Sequence, residues 1–116
     1  MTRLMKVPVV AIALAALACG GGGENGGIVD PPGTVVVSMP GNAFSPFNAT
    51  IRVGEAIRWE FPSNEHDVVF VPMTGSPANI PVTRNANVSR TFSTAGVFPY
   101  DCRVHPGMSG QVTVTQ

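Results

Sequence analysis

The chain has 116 residues, two cysteines, two histidines and a formal net charge of zero, so its length allows a single domain. Without a surplus of basic residues, nothing in the composition points to a nucleic acid partner. The 13 glycines, 11 prolines and low content of charged residues (12%) are typical of a turn-rich β domain and argue against a helical one.

The first residues of the chain have the layout of an export signal. Arg3 and Lys6 precede an apolar run from Val7 to Ala18, which is too short to span a membrane. Cys19 ends that run and is followed by four glycines. This arrangement resembles a bacterial lipoprotein signal, in which the cysteine becomes the lipid-bearing first residue; the alternative is an ordinary cleaved signal with a chance cysteine.

These features divide the chain into three parts. We expect residues 1–18 to be a signal peptide and residues 19–33 to comprise the lipidated cysteine and a flexible Gly-rich linker. Residues 34–116 are then the folded domain, which has enough length for a small core.

Period-two alternation of apolar residues dominates residues 34–116. Ile57, Trp59 and Phe61, for example, alternate with less apolar positions, as expected for strands with one buried face. Seven or so such runs, bounded by turn residues, predict an all-β fold: a Greek-key two-sheet sandwich or barrel. The exception is Val71 to Ala86, which contains three prolines and is interpreted as a long loop with at most one helical turn.

Strand parity places a histidine and a cysteine on the inward face. His66 has the parity of Phe70, and Cys102 has the parity of Phe98. A buried imidazole and a buried unpaired thiol need a compensating interaction, and metal coordination would supply one. Taken alone, each side chain is more often structural. If Cys19 is lipidated, however, Cys102 has no partner for an internal disulfide.

Three potential metal ligands follow one another closely near the end of the chain. Cys102, His105 and Met108 are each three residues apart, and a proline–glycine pair lies between the last two. That pair fits a type II turn, which brings the ends of the segment together. With His66, the set comprises two imidazoles, one thiolate and one thioether, the donors of a mononuclear blue-copper site. The sequence therefore predicts one copper ion per chain.

The segment from Phe98 to Val114, with its Cys-x2-His-x2-Met pattern, resembles the C-terminal copper loop of the cupredoxins (type 1 blue copper proteins) of the plastocyanin/amicyanin-like kind. Residues 44–59 are similar to the early strands of that family, and residues 63–68 to the loop that supplies its first histidine. The resemblance covers nearly all of residues 34–116. It implies a cupredoxin-like fold.

The resemblance also assigns roles to individual side chains. It implies that Asp67 braces the copper loop by hydrogen bonds. It further implies the following ligands: His66 and His105 through Nδ1, Cys102 through sulfur, and Met108 in the axial position.

These observations predict an electron-transfer protein that carries one electron on copper and is not an enzyme. Its partners would be redox protein donors and acceptors that bind transiently, and the protein would act as a monomer with no nucleic acid. His105, on the ligand loop, is the predicted exit route for the electron. We expect an exported protein anchored by lipid at the periplasmic face of a bacterial membrane, or alternatively a soluble periplasmic one.

Three other function classes are alternatives to an electron carrier. The principal alternative is a periplasmic copper-binding or delivery protein without a redox role, although the chain has few spare sulfur and imidazole ligands. Enzymes with additional copper centres require more histidines or a second cysteine. A copper-free adhesion module would require the spacing of the four ligands to be a coincidence.

Overall fold

The computed structural model describes residues 30–116, which form two β-sheets. The predicted signal peptide, Cys19 and the linker as far as residue 29 lie outside the described residues. Within residues 30–116 the helical content is one short 3-10 turn, Pro40–Asn42, and no helix there is long and apolar enough to cross a membrane.

Eight strands make up the two sheets. One sheet has the order β1-β3-β6 and the other the order β2-β8-β7-β4-β5. In chain order the strands are β1 (Val35–Val37), β2 (Asn48–Arg52), β3 (Ala56–Phe61), β4 (His66–Phe70), β5 (Ile80–Thr83), β6 (Ala86–Thr91), β7 (Gly96–Asp101) and β8 (Ser109–Thr115). The predicted all-β, two-sheet sandwich is confirmed.

Strand directions place two groups of loops at opposite ends of the sandwich. We call the end at which β3 and β7 finish the upper end; it carries the connections 38–47, 62–65, 84–85 and 102–108. Because β1 runs parallel to β3, with Val35 opposite Ile57, the chain enters the fold at the lower end. The entry is fixed by an ion pair between Arg58 and Asp30 at 3.1 Å.

A cluster of aromatic side chains fills the space between the sheets. Trp59 packs edge-on against Tyr100 and Phe70, with ring centroids 5.5 and 5.9 Å apart. Phe44 reaches the same cluster through Tyr100, at 4.8 Å. All four rings are buried, so burial of apolar area is the main force holding the sheets together.

The interpretation of Val71 to Ala86 as one long loop is wrong in part. Residues Ile80–Thr83 form β5, and β6 begins at Ala86. Pro81 is tolerated because β5 is an edge strand of its sheet, where one missing backbone donor disrupts no central ladder. The remaining residues 71–79 form a loop without a helical turn.

The loop 71–79 is held to the body of the sandwich by polar contacts. The Arg90 guanidinium of β6 donates hydrogen bonds to the carbonyl oxygens of Ala78 (2.8 Å) and Asn79 (3.0 Å). The side-chain oxygen of Asn79 accepts a further bond from the amide of Phe70 at 2.8 Å. The loop therefore has a fixed course toward the lower end, away from the connections that carry the predicted ligands.

Candidate metal centre

The four predicted ligands all lie at the upper end of the sandwich. His66 is the first residue of β4, and Cys102 follows directly after β7. His105 lies in the β7–β8 connection, and Met108 immediately precedes β8. Strand ends thus position three of the four side chains.

The side chains of His66 and Cys102 are neighbours in the interior, since the Cys102 sulfur lies 3.9 Å from Nδ1 of His66. The ring of His105 lies next, with its centroid 4.7 Å from that of His66. His66, Cys102 and Met108 are 0%, 2% and 4% exposed, whereas His105 is half-buried. The most accessible of the four is therefore His105.

The connection from Cys102 to Met108 is closed by its own backbone hydrogen bonds. The amide of Cys102 donates to the carbonyl of Met108 at 2.9 Å, and the amide of Met108 donates to the carbonyl of His105 at 3.0 Å. The second bond closes a four-residue turn in which Gly107 has φ +93°, as a type II turn requires at that position. The turn thus returns the backbone of Met108 to that of Cys102.

Asp67 links this connection to β4. Its carboxylate accepts a hydrogen bond of 2.7 Å from the backbone amide of Arg103, and Asp67 is itself buried. Because Asp67 follows His66 and Arg103 follows Cys102, the bond fixes the spacing of the strands from which those two side chains project.

The electrostatics of the cluster favour uncharged imidazole. Burial lowers the pKa of His66 below its ordinary value of 6.5; the neighbouring His105 lowers it further, and Asp67 acts in the opposite direction. A neutral ring keeps a lone pair available, as metal binding demands.

The donor set fits a copper ion in its chemistry. A soft thiolate and thioether with two imidazoles suit copper better than hard cations, and Cys102 is the lone cysteine of residues 30–116. His66 is close to both Cys102 and His105, but among residues 30–116 no three His, Cys, Asp or Glu side chains already surround one point. Binding an ion would therefore require side-chain adjustments in this cluster.

Sequence reasoning missed the polar contacts that surround the site. Asn64 donates a hydrogen bond of 3.2 Å to the side-chain oxygen of Asn42, and Nε2 of His105 lies 3.0 Å from the carbonyl oxygen of Glu65. Partners separated by 22 and 40 residues leave no periodic signal in a sequence. The sequence offers one hint, the pair Gly41-Asn42, because glycine and asparagine are the residues that most readily adopt positive φ. Both residues do so in the structure.

A groove of about 320 Å³ also adjoins the site. Its lining includes Met108 and Gly107 of the ligand loop together with Phe44 and Phe47. Phe47 is 55% exposed, so the surface beside the ligand loop is apolar and accessible.

The chain was compared with protein families, with individual proteins and with solved structures. No family model matches the sequence. Amicyanin from Paracoccus denitrificans is 28% identical over 86 residues, which is 71% of this chain and 66% of that protein; the match thus spans slightly less than two thirds of the relative.

Solved structures agree with this similarity. A purple cupredoxin from Nitrosopumilus maritimus has a TM-score of 0.62 and 28% identity, covering 70% of this chain and 99% of the other. The reduced Cu(I) form of an amicyanin variant has a TM-score of 0.64 and 27% identity, covering 75% and 85%. In backbone and in sequence, the chain is therefore similar to one group of proteins, the cupredoxins.

Proposed function

We propose that the protein is a one-electron carrier that binds one copper ion through His66, Cys102, His105 and Met108. The observation that supports this most directly is the buried thiol of Cys102, 3.9 Å from Nδ1 of His66, at the end of the sandwich that also carries the other two side chains. The proposal includes Asp67 as the residue that braces the ligand loop.

The bound ion would supply a Cu(I)/Cu(II) couple. The residues of the chain hold the ligands on a closed loop and two strand ends, and so limit their movement when the oxidation state changes. The thiol and the thioether are almost fully covered, which keeps water from the site, while half-buried His105 leaves one ligand near the surface for electron exchange.

Relatives support the same class of activity. The amicyanin structures include reduced and oxidized states, and several are Cu(I) forms. Because these relatives are seen with copper and in both oxidation states, copper-based electron transfer without catalysis is the general activity that we propose. For this chain we propose transient protein donors and acceptors, action as a monomer, and no nucleic acid partner.

Titration of the metal-free protein with Cu(II) tests the ligand set. We expect an intense blue absorption from the copper–thiolate bond at one equivalent of metal. The variant Cys102→Ser should lose the colour, whereas Cys19→Ser, the same substitution at the other cysteine, should keep it. A colourless complex in the unsubstituted protein would contradict the proposal.

Redox behaviour separates electron transfer from copper delivery. An electron carrier should cycle reversibly between oxidation states many times without losing its ion to a chelator. Rapid loss of Cu(I) to the chelator on reduction would instead favour the delivery function.

We further propose that residues 1–18 are a signal peptide, that Cys19 is lipidated, and that residues 19–33 tether the domain 34–116 to the periplasmic face of a membrane. Expression of the full chain in a bacterial host, followed by detergent-phase partitioning and mass spectrometry, tests this. Cys19→Ser should move the protein to the aqueous phase. A mature protein without lipid would show that it is exported in soluble form.

A further inference from the structure

We propose that the β3–β4 connection, residues 62–65, positions His105: the backbone carbonyl of Glu65 selects the ring tautomer that can ligate, and an asparagine pair holds that carbonyl in place. This inference rests on the proposed function, because it assigns a role to residues outside the ligand set.

The first step concerns the proton on the His105 ring. Nε2 lies 3.0 Å from the carbonyl oxygen of Glu65, and a carbonyl oxygen can only accept a hydrogen bond. The nitrogen must therefore carry the proton. In a neutral ring this leaves the lone pair on Nδ1, and a hydrogen bond from the second ring nitrogen to a backbone carbonyl is a common way to fix the tautomer and orientation of a metal-binding histidine.

The second step concerns what holds the carbonyl. Asn64, the residue before Glu65, donates its side-chain amide to the side-chain oxygen of Asn42 at 3.2 Å. The other end of the connection is fixed by the amide of Asn85, which donates to the carbonyl of Pro62 at 2.8 Å. Residues 62–65 are thus held on both sides by neighbouring connections of the upper end.

The third step concerns the residue types. Asn42 has φ +61°, a conformation that asparagine and glycine adopt more readily than other residues, so Asn42 offers both the backbone shape and the acceptor. Asn64 and Asn42 are exposed, and their contact buries little area. Substituting them should therefore leave the denaturation midpoint nearly unchanged and act mainly on the placement of Glu65.

Three variants test the pair. Asn64→Ala removes the donor, Asn42→Gly removes the acceptor but keeps the left-handed backbone available, and the double variant completes a thermodynamic cycle. Asn87→Ala on β6 is the control, because Asn87 is also exposed and its side chain has no hydrogen-bond partner among residues 30–116. The readout is nitrogen NMR of the His105 ring in the metal-free full chain, which reports the ratio of the two neutral tautomers directly.

In the metal-free protein, we expect the neutral ring of His105 to carry its proton on Nε2. Each single variant should lower the ratio of Nε2–H to Nδ1–H by about two- to tenfold, as the loss of one neutral hydrogen bond implies, and the double variant should do no more than either. Copper release should accelerate to a similar extent, with Asn87→Ala unchanged. A proton on Nδ1 in the unsubstituted protein, an unaltered ratio in Asn64→Ala, or additive effects would overturn the inference. Failure to bind copper would instead overturn the proposed function, since the tautomer measurement needs no metal.

Discussion

The carboxylate of Asp67 accepts a hydrogen bond from the backbone amide of Arg103 at 2.7 Å. The bond joins the residue after His66 to the residue after Cys102, so it connects β4 to the start of the ligand loop. Together with the pairing of β4 and β7, this contact positions the two candidate ligands relative to each other without involving their side chains.

Replacing Asp67 tests this connection. Asp67→Ala should lower the unfolding free energy of the metal-free protein by about 1–3 kcal/mol, because a part-buried hydrogen bond to a carboxylate is lost. Asp67→Asn keeps a side-chain oxygen and should lose less than half of that amount. Urea denaturation of the three proteins measures the difference, and equal losses in the two variants would show that the hydrogen bond contributes little.

His105→Gly tests the exit route for the electron. The variant removes the most accessible candidate ligand, while the buried side chains of Cys102 and His66 remain. We expect it to retain bound copper and to exchange electrons more slowly between reduced and oxidized copies, as measured by NMR line broadening. Asn87→Gly, which places the same residue at an exposed strand position, should exchange at the original rate. An unchanged rate in His105→Gly would place the route elsewhere.

Tyr100 predicts an alkaline loss of stability. Burial raises the pKa of Tyr100 from 10.0 to about 12, against a smaller opposing effect of Trp59. The folded state therefore holds the phenolic proton more strongly than the unfolded state, so the contribution to stability is complete below pH 10 and falls as the pH rises toward 12, by on the order of 2 kcal/mol.

The variant Tyr100→Phe isolates this effect. Within residues 30–116 the Tyr100 hydroxyl has no hydrogen-bond partner, so the substitution should cost little at neutral pH and should flatten the alkaline decline. Because Tyr100 is the single tyrosine of the chain, tyrosinate absorbance follows its ionisation directly. Identical pH profiles of unfolding free energy in the two proteins would contradict the prediction.

Arg90 is predicted to hold the loop 71–79. Arg90→Ala should increase hydrogen exchange in that loop and cost about 1–3 kcal/mol, because the carbonyls of Ala78 and Asn79 lose a charged donor. Arg90→Lys should not restore the protection of the loop against hydrogen exchange, because one ammonium group cannot replace the two donors that the planar guanidinium directs at neighbouring carbonyls. The blue absorption should be unchanged in both variants, because the loop extends toward the end opposite the candidate ligands; a loss of colour would indicate a wider structural role.

The sequence predicted the structure correctly where a local pattern has a single physical consequence. The parity of His66 and Cys102 predicted that both point inward, and both are buried. The proline–glycine pair predicted the turn, and Gly107 has the positive φ that it requires. The alternation of Ile57, Trp59 and Phe61 likewise predicted a strand whose side chains enter the core.

The sequence did not predict features that depend on where a segment lies in the folded molecule. Three prolines hid β5 because proline argues against a strand unless it lies at a sheet edge, and edge position is a property of the whole sheet. The alternation in β3 also failed at Ala56, which is buried although it adjoins buried Ile57. The contacts of Asn64 with Asn42, and of Arg90 with Ala78, join residues far apart in the chain and were visible only in the fold.

The parallel pairing of β1 with β3 has a consequence for how the protein can be displayed. Asp30 joins the body of the sandwich at the base of β3, whereas His66 begins β4 just past the top of that strand. Anything attached through the preceding residues is therefore separated from the candidate ligands by the full height of β3. A surface that holds the molecule by its amino-terminal segment would leave His105 facing the surrounding solution, where a diffusing partner could reach it.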